Sequence, residues 1–288
     1  MKILERLDPA RPCFSFEFFP PKTGEGEARL METLEDLRAL EPGFVSVTYG
    51  AGGGSRDRSL SLVSRIRRET GLEAVTHLAC VGHTRAELEG IVDRLAADGV
   101  ENVLALRGDL PVGGAHPGVD AFPYATPFVS FLRERHPGLC LGGAGYPEGH
   151  VETVSREEDL LHLKAKVDAG LDYVVTQLFF DNAFYFDFVA RARRVGIHVP
   201  IVPGIMPITS YEQLHRFVRM CGATVPMRLQ LQLERVKDDP EALVQLGVAH
   251  ATIQCLELLQ RGVPGLHFYT LNKSPATRMI VSALRGRG

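Results

Sequence analysis

The sequence predicts an α/β fold, a single (β/α)8 barrel spanning its 288 residues, on three observations. Short β-branched or aromatic runs alternate with longer amphipathic segments, the pattern of successive βα units. The alternation continues to the C-terminus with no linker, internal repeat or low-complexity stretch. The runs number about eight, the count that closes a parallel barrel. Length alone is compatible with two domains of about 150 residues or one barrel of about 250. The unbroken alternation selects a single domain over residues 1–288.

Strands are predicted at Phe14 to Phe19, Phe44 to Tyr49, Ala74 to Val81, Asn102 to Arg107, Leu139 to Ala144, Tyr173 to Phe180, Val199 to Ile205 and Leu266 to Leu271. Between them run apolar stripes at helical spacing: Leu30, Leu34, Leu37 and Leu40 in the first helix, and Leu88, Ile91, Val92 and Leu95 in the third. Thr84 precedes Glu87, and Ser155 precedes Glu158, at capping-box spacing. Gly99, Gly170 and Gly196 follow the third, fifth and sixth helices, where a left-handed terminal residue is favoured. Two regions exceed the minimal unit. One is the Gly- and Pro-rich loop between Asp109 and Tyr124; the other is Val225 to Asp239, followed by a long helical pattern from Pro240 to Arg261.

Composition narrows the function. With 32 Lys and Arg against 35 Asp and Glu, the net charge of -3 leaves no basic excess for a nucleic-acid partner. Five cysteines, without a C-x-x-C pair, fit a reducing compartment. The charged N-terminus carries no signal-peptide pattern, and no uninterrupted apolar run reaches the ~18 residues of a membrane span. A cytoplasmic protein with no membrane partner is expected. The ten histidines form neither H-x-H nor H-E-x-x-H, so no metal site is expected.

In such a barrel the active site is built from the C-terminal strand ends. Alternation along FSFEFF places Phe14, Phe16 and Phe18 under the helices and turns Ser15, Glu17 and Phe19 the other way, so Glu17 points into the barrel. A carboxylate among aromatic side chains is expected to have a raised pKa, suiting a general acid; the bland reading is a buried Glu neutralised by an Arg. Arg107, Gly108 and Asp109 end one strand as either a ligand-binding turn or a surface ion pair. Thr48, His77 and Gln177 are polar residues inside apolar strands, each needing a protein or ligand partner. The run GAGGGS, Gly50 to Ser55, lacks the phosphate-loop lysine and reads as a flexible βα loop. Lys164 and Lys166 read as solvated helix residues, whereas Lys273 follows the last strand and could meet an anion.

An ordered set of motifs resembles one family, the methylenetetrahydrofolate reductases of the bacterial, catalytic-domain-only type. The set is FSFEFFPPKT (Phe14 to Thr23), VTYGAGG (Val47 to Gly53), ALRGD (Ala105 to Asp109), AGYPEGH (Ala144 to His150), KVDAGLDYVVTQLFFD (Lys166 to Asp181), PGIMPI (Pro203 to Ile208) and HFYTLN (His267 to Asn272). The resemblance implies a TIM barrel binding FAD without a Rossmann framework. It implies a ping-pong oxidoreductase in which NADH or NADPH reduces the flavin and 5,10-methylenetetrahydrofolate then receives hydride. The product, 5-methyltetrahydrofolate, would serve methionine synthesis.

By this resemblance Glu17 matches the general acid that opens the imidazolidine ring, and Asp109 an aspartate beside flavin and pterin. Gln177, Gln213 and Phe217 match folate contacts, and Lys273 a basic residue near the folate carboxylates. The FAD positions are Thr48, His77, Arg107, Gly108, Asp109, Tyr124, Ala125, Tyr146, His150, Asp159 and Lys166. His162 and Ala165 stand where other members carry Asn and Arg, which implies weak FAD retention. A homo-oligomer is implied, and no chain is left for the regulatory C-terminal domain of longer eukaryotic relatives. Two other readings remain at this stage: a flavin-independent lyase or aldolase using Lys273 or Glu17, and a pterin-binding module serving a methyltransferase.

Overall fold

A computed structural model describes residues 1–49, 53–109 and 122–286. Eight parallel strands close a barrel in chain order: β1 (Cys13–Phe18), β2 (Phe44–Val47), β3 (Ala74–Ala79), β4 (Asn102–Leu106), β5 (Cys140–Gly145), β6 (Tyr173–Leu178), β7 (Ile201–Ile205) and β8 (Gly265–Tyr269). The helices are α1 (Gly24–Arg38), α2 (Gly53–Thr70), α3 (Arg85–Ala97), α4 (Ala125–Arg135), α5 (Arg156–Asp168), α6 (Asn182–Arg194), α7 (Tyr211–Cys221), α8 (Met227–Val236), α9 (Pro240–Gln260) and α10 (Pro275–Leu284). The single-barrel expectation is therefore met, with α8 and α9 as the enlargement before β8.

Several predicted strands overrun the ladder. Thr48 and Tyr49, Cys80 and Val81, Arg107, Phe179 and Phe180, and Thr270 and Leu271 all lie beyond their strands, in the βα loops. Apolar and β-branched residues continue past the last paired position because the loops pack down on the barrel rim, and propensity does not register where pairing stops. The glycine run is also corrected at its end. Gly53, Gly54 and Ser55 belong to α2, while Gly50 to Gly52 and residues 110–121 of the long loop lie outside the described residues.

Helix ends follow their local chemistry. Thr84 and Glu87 form a reciprocal capping box, each accepting from the other's backbone N–H. Ser155 caps α5 through Glu158 N–H, but the Glu158 carboxylate turns to Val154 N–H, leaving only half a box. Gly99, Gly170 and Gly196 have φ of +73°, +121° and +83°, as their positions required.

Alternation divides the apolar residues into two cores. Phe14, Phe16, Phe18, Val45, Leu78, Val103, Val174 and Phe268 face outward, under the helices. Phe44, Val75, Leu104, Cys140, Tyr173 and Val202 fill the lower barrel, which Ile3 and Leu7 plug from below. By length and composition α9 could cross a membrane. Here Leu243, Val248, Ala251, Cys255 and Leu258 turn one face of it into the protein. The barrel interior is apolar at its base, and polar side chains collect above.

Candidate active site

Above the apolar base opens a cleft of ≈ 550 Å³, within the ~300–1,000 Å³ usual for small-molecule sites. Its lining brings together Glu17, His77, Asp109, Tyr146, His150, Gln177 and Phe217 from β1, β3, β6, α7 and the loops after β4 and β5. Gln177 sits where the β6–β7 register slips between Val175 and Leu178, a bulge that re-aims a side chain; its Oε1 accepts from Leu178 N–H. A smaller cleft of ≈ 210 Å³ holds Lys273 and shares Tyr269 and Leu271 with the first. Gln213 lines a recess with Met206 and Leu271, both of which also line the main cleft.

Glu17 is buried at the centre of a polar network drawn from four strands. Its Oε2 lies 3.2 Å from His267 Nε2 and 3.4 Å from His77 Nε2. His267 Nδ1 lies 2.8 Å from Ser15 Oγ, and Ser15 Oγ donates to Leu266 O at 3.3 Å. Ser46 Oγ closes the set, 3.5 Å from His267 Nε2. A serine hydroxyl has one proton to donate. If it goes to Leu266 O, Ser15 must accept from His267 Nδ1–H, and Nε2 of a neutral His267 then offers only a lone pair. On that assignment a Glu17–His267 hydrogen bond needs one further proton, carried by either partner; the assignment comes from the network.

The expected rise in the Glu17 pKa is not met. Burial pushes the carboxyl up, but the charge of His77 and the hydrogen bond and charge of His267 outweigh it, leaving the group below the usual carboxylate value. Phe14, Phe16 and Phe18 lie on the opposite face of β1, as alternation required, Phe19 lines the cleft with Glu17, and among the described residues no Arg pairs with it. Burial drives His77 down, opposed by the charge of Glu17. His77 Nε2 is buried, faces the cleft lining and makes no aligned hydrogen bond.

The remaining residues singled out lie outside the main cleft's lining, Thr48 after β2 and the others around the β4–β6 rim, beside Tyr146 and His150 of the lining. Arg107 is held in a fork by Glu152, at 2.7 and 3.0 Å, and Glu152 itself lines the cleft. Gly108 takes φ +87°, and a Cβ there would stand 2.8 Å from the Ala79 Cβ. Lys166, read from sequence as solvated, instead donates to Ala144 O at 2.8 Å. Its side chain is half-buried but its ammonium is enclosed; burial, opposed by Asp159, lowers its pKa to about 8. Burial likewise raises Asp159 to about 6, opposed by Lys166, His162 and Arg191. Tyr146 and His150 pack edge to face at 4.6 Å. Thr48 N–H donates to Phe18 O at 2.9 Å, while Tyr124 caps α4 at 65% exposure, just ahead of Ala125.

His267, Glu152 and Tyr269 were missed. A histidine in the apolar strand LHFY meets the same criterion that selected His77 and Gln177. Glu152 carried no local signal, since its meaning lies in Arg107, 45 residues earlier. No group of three His, Cys, Asp or Glu suited to a metal ion occurs among the described residues.

Fold and cleft together define a TIM-barrel protein with a buried, histidine-paired carboxyl facing a cleft at the C-terminal mouth. The chain belongs to the methylenetetrahydrofolate reductase family, whose sequence profile matches residues 2–285. The 5,10-methylenetetrahydrofolate reductases of Salmonella typhimurium and Pectobacterium carotovorum are 41% and 40% identical to it, over 94% of this chain and 90% and 89% of theirs. Arabidopsis thaliana methylenetetrahydrofolate reductase (NADH) 1 is 37% identical, and this chain spans 49% of its length. An uncharacterized protein from Clostridium thermocellum that binds two copies of 5-methyl-5,6,7,8-tetrahydrofolic acid shares the fold, with a TM-score of 0.65 over 99% of this chain and 97% of that one at 18% identity.

Proposed function

We propose that this family member reduces 5,10-methylenetetrahydrofolate to 5-methyltetrahydrofolate with NADH or NADPH. It acts as a cytoplasmic, homo-oligomeric FAD enzyme supplying methyl groups for methionine synthesis. The observation that carries the reading is the buried Glu17 carboxyl, 3.2 Å from His267 Nε2 and facing a cleft of ≈ 550 Å³. The folate bound by the Clostridium protein of the same fold supports the substrate class.

The residues present fit a flavin. His77, whose Nε2 makes no aligned hydrogen bond beyond its 3.4 Å approach to Glu17, lines the cleft, and the enclosed Lys166 ammonium offers charge to a diphosphate at the rim. Thr48, His77, Arg107, Gly108, Asp109, Tyr124, Ala125, Tyr146, His150, Asp159 and Lys166 would hold it. When bound, FAD supplies the two-electron carrier that takes hydride from the nicotinamide and passes it to the one-carbon unit, which makes the kinetics ping-pong.

The chain's own residues do the rest. Glu17 gives its proton to the amine that leaves as the imidazolidine ring opens, since that nitrogen is otherwise a poor leaving group. His267, fixed by Ser15, steadies the carboxyl and passes it a proton between turnovers. Asp109, Gln177, Gln213 and Phe217 orient the pterin and aminobenzoate rings, and Lys273 meets the folate carboxylates beyond Tyr269 and Leu271. Purified protein titrated with FAD and assayed with each nucleotide should bind flavin and form 5-methyltetrahydrofolate. A colourless protein that takes up no added FAD and forms no product contradicts the reading.

A further inference from the structure

The β1–β8 ladder ends at the Glu17–Tyr269 pair, yet the two strands stay joined for three more residues by side chains. Thr270 Oγ1 donates to Glu17 O at 2.6 Å, and Asn272 N–H donates back to Thr270 Oγ1 at 3.2 Å. The Asn272 amide then grips the Phe19 backbone twice: Phe19 N–H donates to Oδ1 at 2.8 Å, and Nδ2 donates to Phe19 O at 2.9 Å. A side-chain amide thus takes the place of the next peptide of the ladder.

This clamp comes with backbone strain. Leu271 and Asn272 have φ of +53° and +57°; among the described residues the only other non-glycine with positive φ is Glu41. Asparagine tolerates this region, but leucine does so only at a cost that surrounding structure must offset. Both residues that the clamp controls are walls of the site. Phe19 and Leu271 line the main cleft, and Leu271 also separates it from the Lys273 cleft. Phe19 lies two residues beyond Glu17 on the same strand end.

We infer that Asn272 is a positioning residue, holding the end of β1 and the strained Leu271 in place so that the acid and both walls of the folate cleft keep their geometry. The role rests on the folate-reducing reading above. In Asn272→Gly the positive φ at 272 stays easy while both bonds to Phe19 are lost, so the variant removes the clamp without adding backbone strain at 272.

The test combines two readouts on the whole protein with flavin added. Amide exchange at Phe19, slow in the parent, speeds up at least tenfold in Asn272→Gly. The folded variant loses about 10- to 100-fold in kcat with methylenetetrahydrofolate, as sub-ångström misplacement of reacting groups does, and its KM rises. A merely structural role would lower the melting temperature without raising KM per folded molecule. Unchanged exchange at Phe19, or kcat and KM within twofold of the parent in folded protein, overturns the inference. Should Asn272→Gly fail to fold, Asn272→Asp keeps the acceptor for Phe19 N–H, loses only the donor to Phe19 O, and shows the kcat and KM changes at smaller amplitude. A parent chain that reduces no folate defeats the proposed function instead, and Phe19 exchange still decides the clamp.

Discussion

Glu17 illustrates what one residue inherits from its neighbours. Strand alternation correctly turned it into the barrel, because the period of two is a property of the backbone. Its proton affinity went the other way from the sequence expectation, because its imidazole neighbours stand 60 and 250 residues away on β3 and β8. Lys166 was misread for the same reason: helical spacing says nothing of a carbonyl on β5. Together with Asp159 it makes the rim pH-sensitive. Below about 6 Asp159 is protonated and the pair is cationic; between 6 and 8 it is neutral overall; above about 8 Lys166 loses its charge and the pair is anionic. Affinity for FAD should therefore fall steadily from pH 6 to pH 9, by about tenfold overall, and Lys166→Met should flatten the alkaline part. Fluorescence titration of FAD across that range checks this, and an affinity independent of pH speaks against a phosphate beside Lys166.

At the scale of the elements, the sequence yielded the eight strands, the α3 capping box and the helix-ending glycines, all encoded within a few adjacent residues. What it did not yield are contacts between strands. Gly204, inside the motif PGIMPI, is one. A methyl there would stand 2.6 Å from the Tyr269 hydroxyl and closer still to Thr176 O, the acceptor of the Tyr269 O–H bond. Gly204→Ala should cost about 1–3 kcal/mol by overpacking and reduce turnover as well, since Tyr269 is a cleft wall. Thermal unfolding and a folate assay on the same preparation measure both; full stability with full turnover contradicts the close packing of β6, β7 and β8. Gln177 likewise owes its place to the bulge between β6 and β7, which no pattern within TQLFF announces.

At the scale of the whole molecule, the barrel separates support from chemistry along its axis. Below, Phe44, Tyr173 and their neighbours make a dry plug under Ile3 and Leu7; above, Ser15, Glu17, Ser46, His77 and His267 gather polar groups from β1, β2, β3 and β8 into one buried network. A further cleft of ≈ 270 Å³ opens at the N-terminal face among Leu7, Tyr185, Arg193 and Arg261. Arg193 is already spent on the carbonyls of Ile197 and Val199, and Arg261 lies over the Phe186 ring. The proposed chemistry thus falls to the upper end, where protonation by Glu17 would be the step that distinguishes folate from nucleotide. Separate rapid-mixing measurements of the two half-reactions in Glu17→Gln test this most directly. Flavin reduction by NADH or NADPH should proceed near the parental rate while methylenetetrahydrofolate reduction is abolished; equal loss of both half-reactions, or folate reduction at the parental rate, would contradict the role assigned to Glu17.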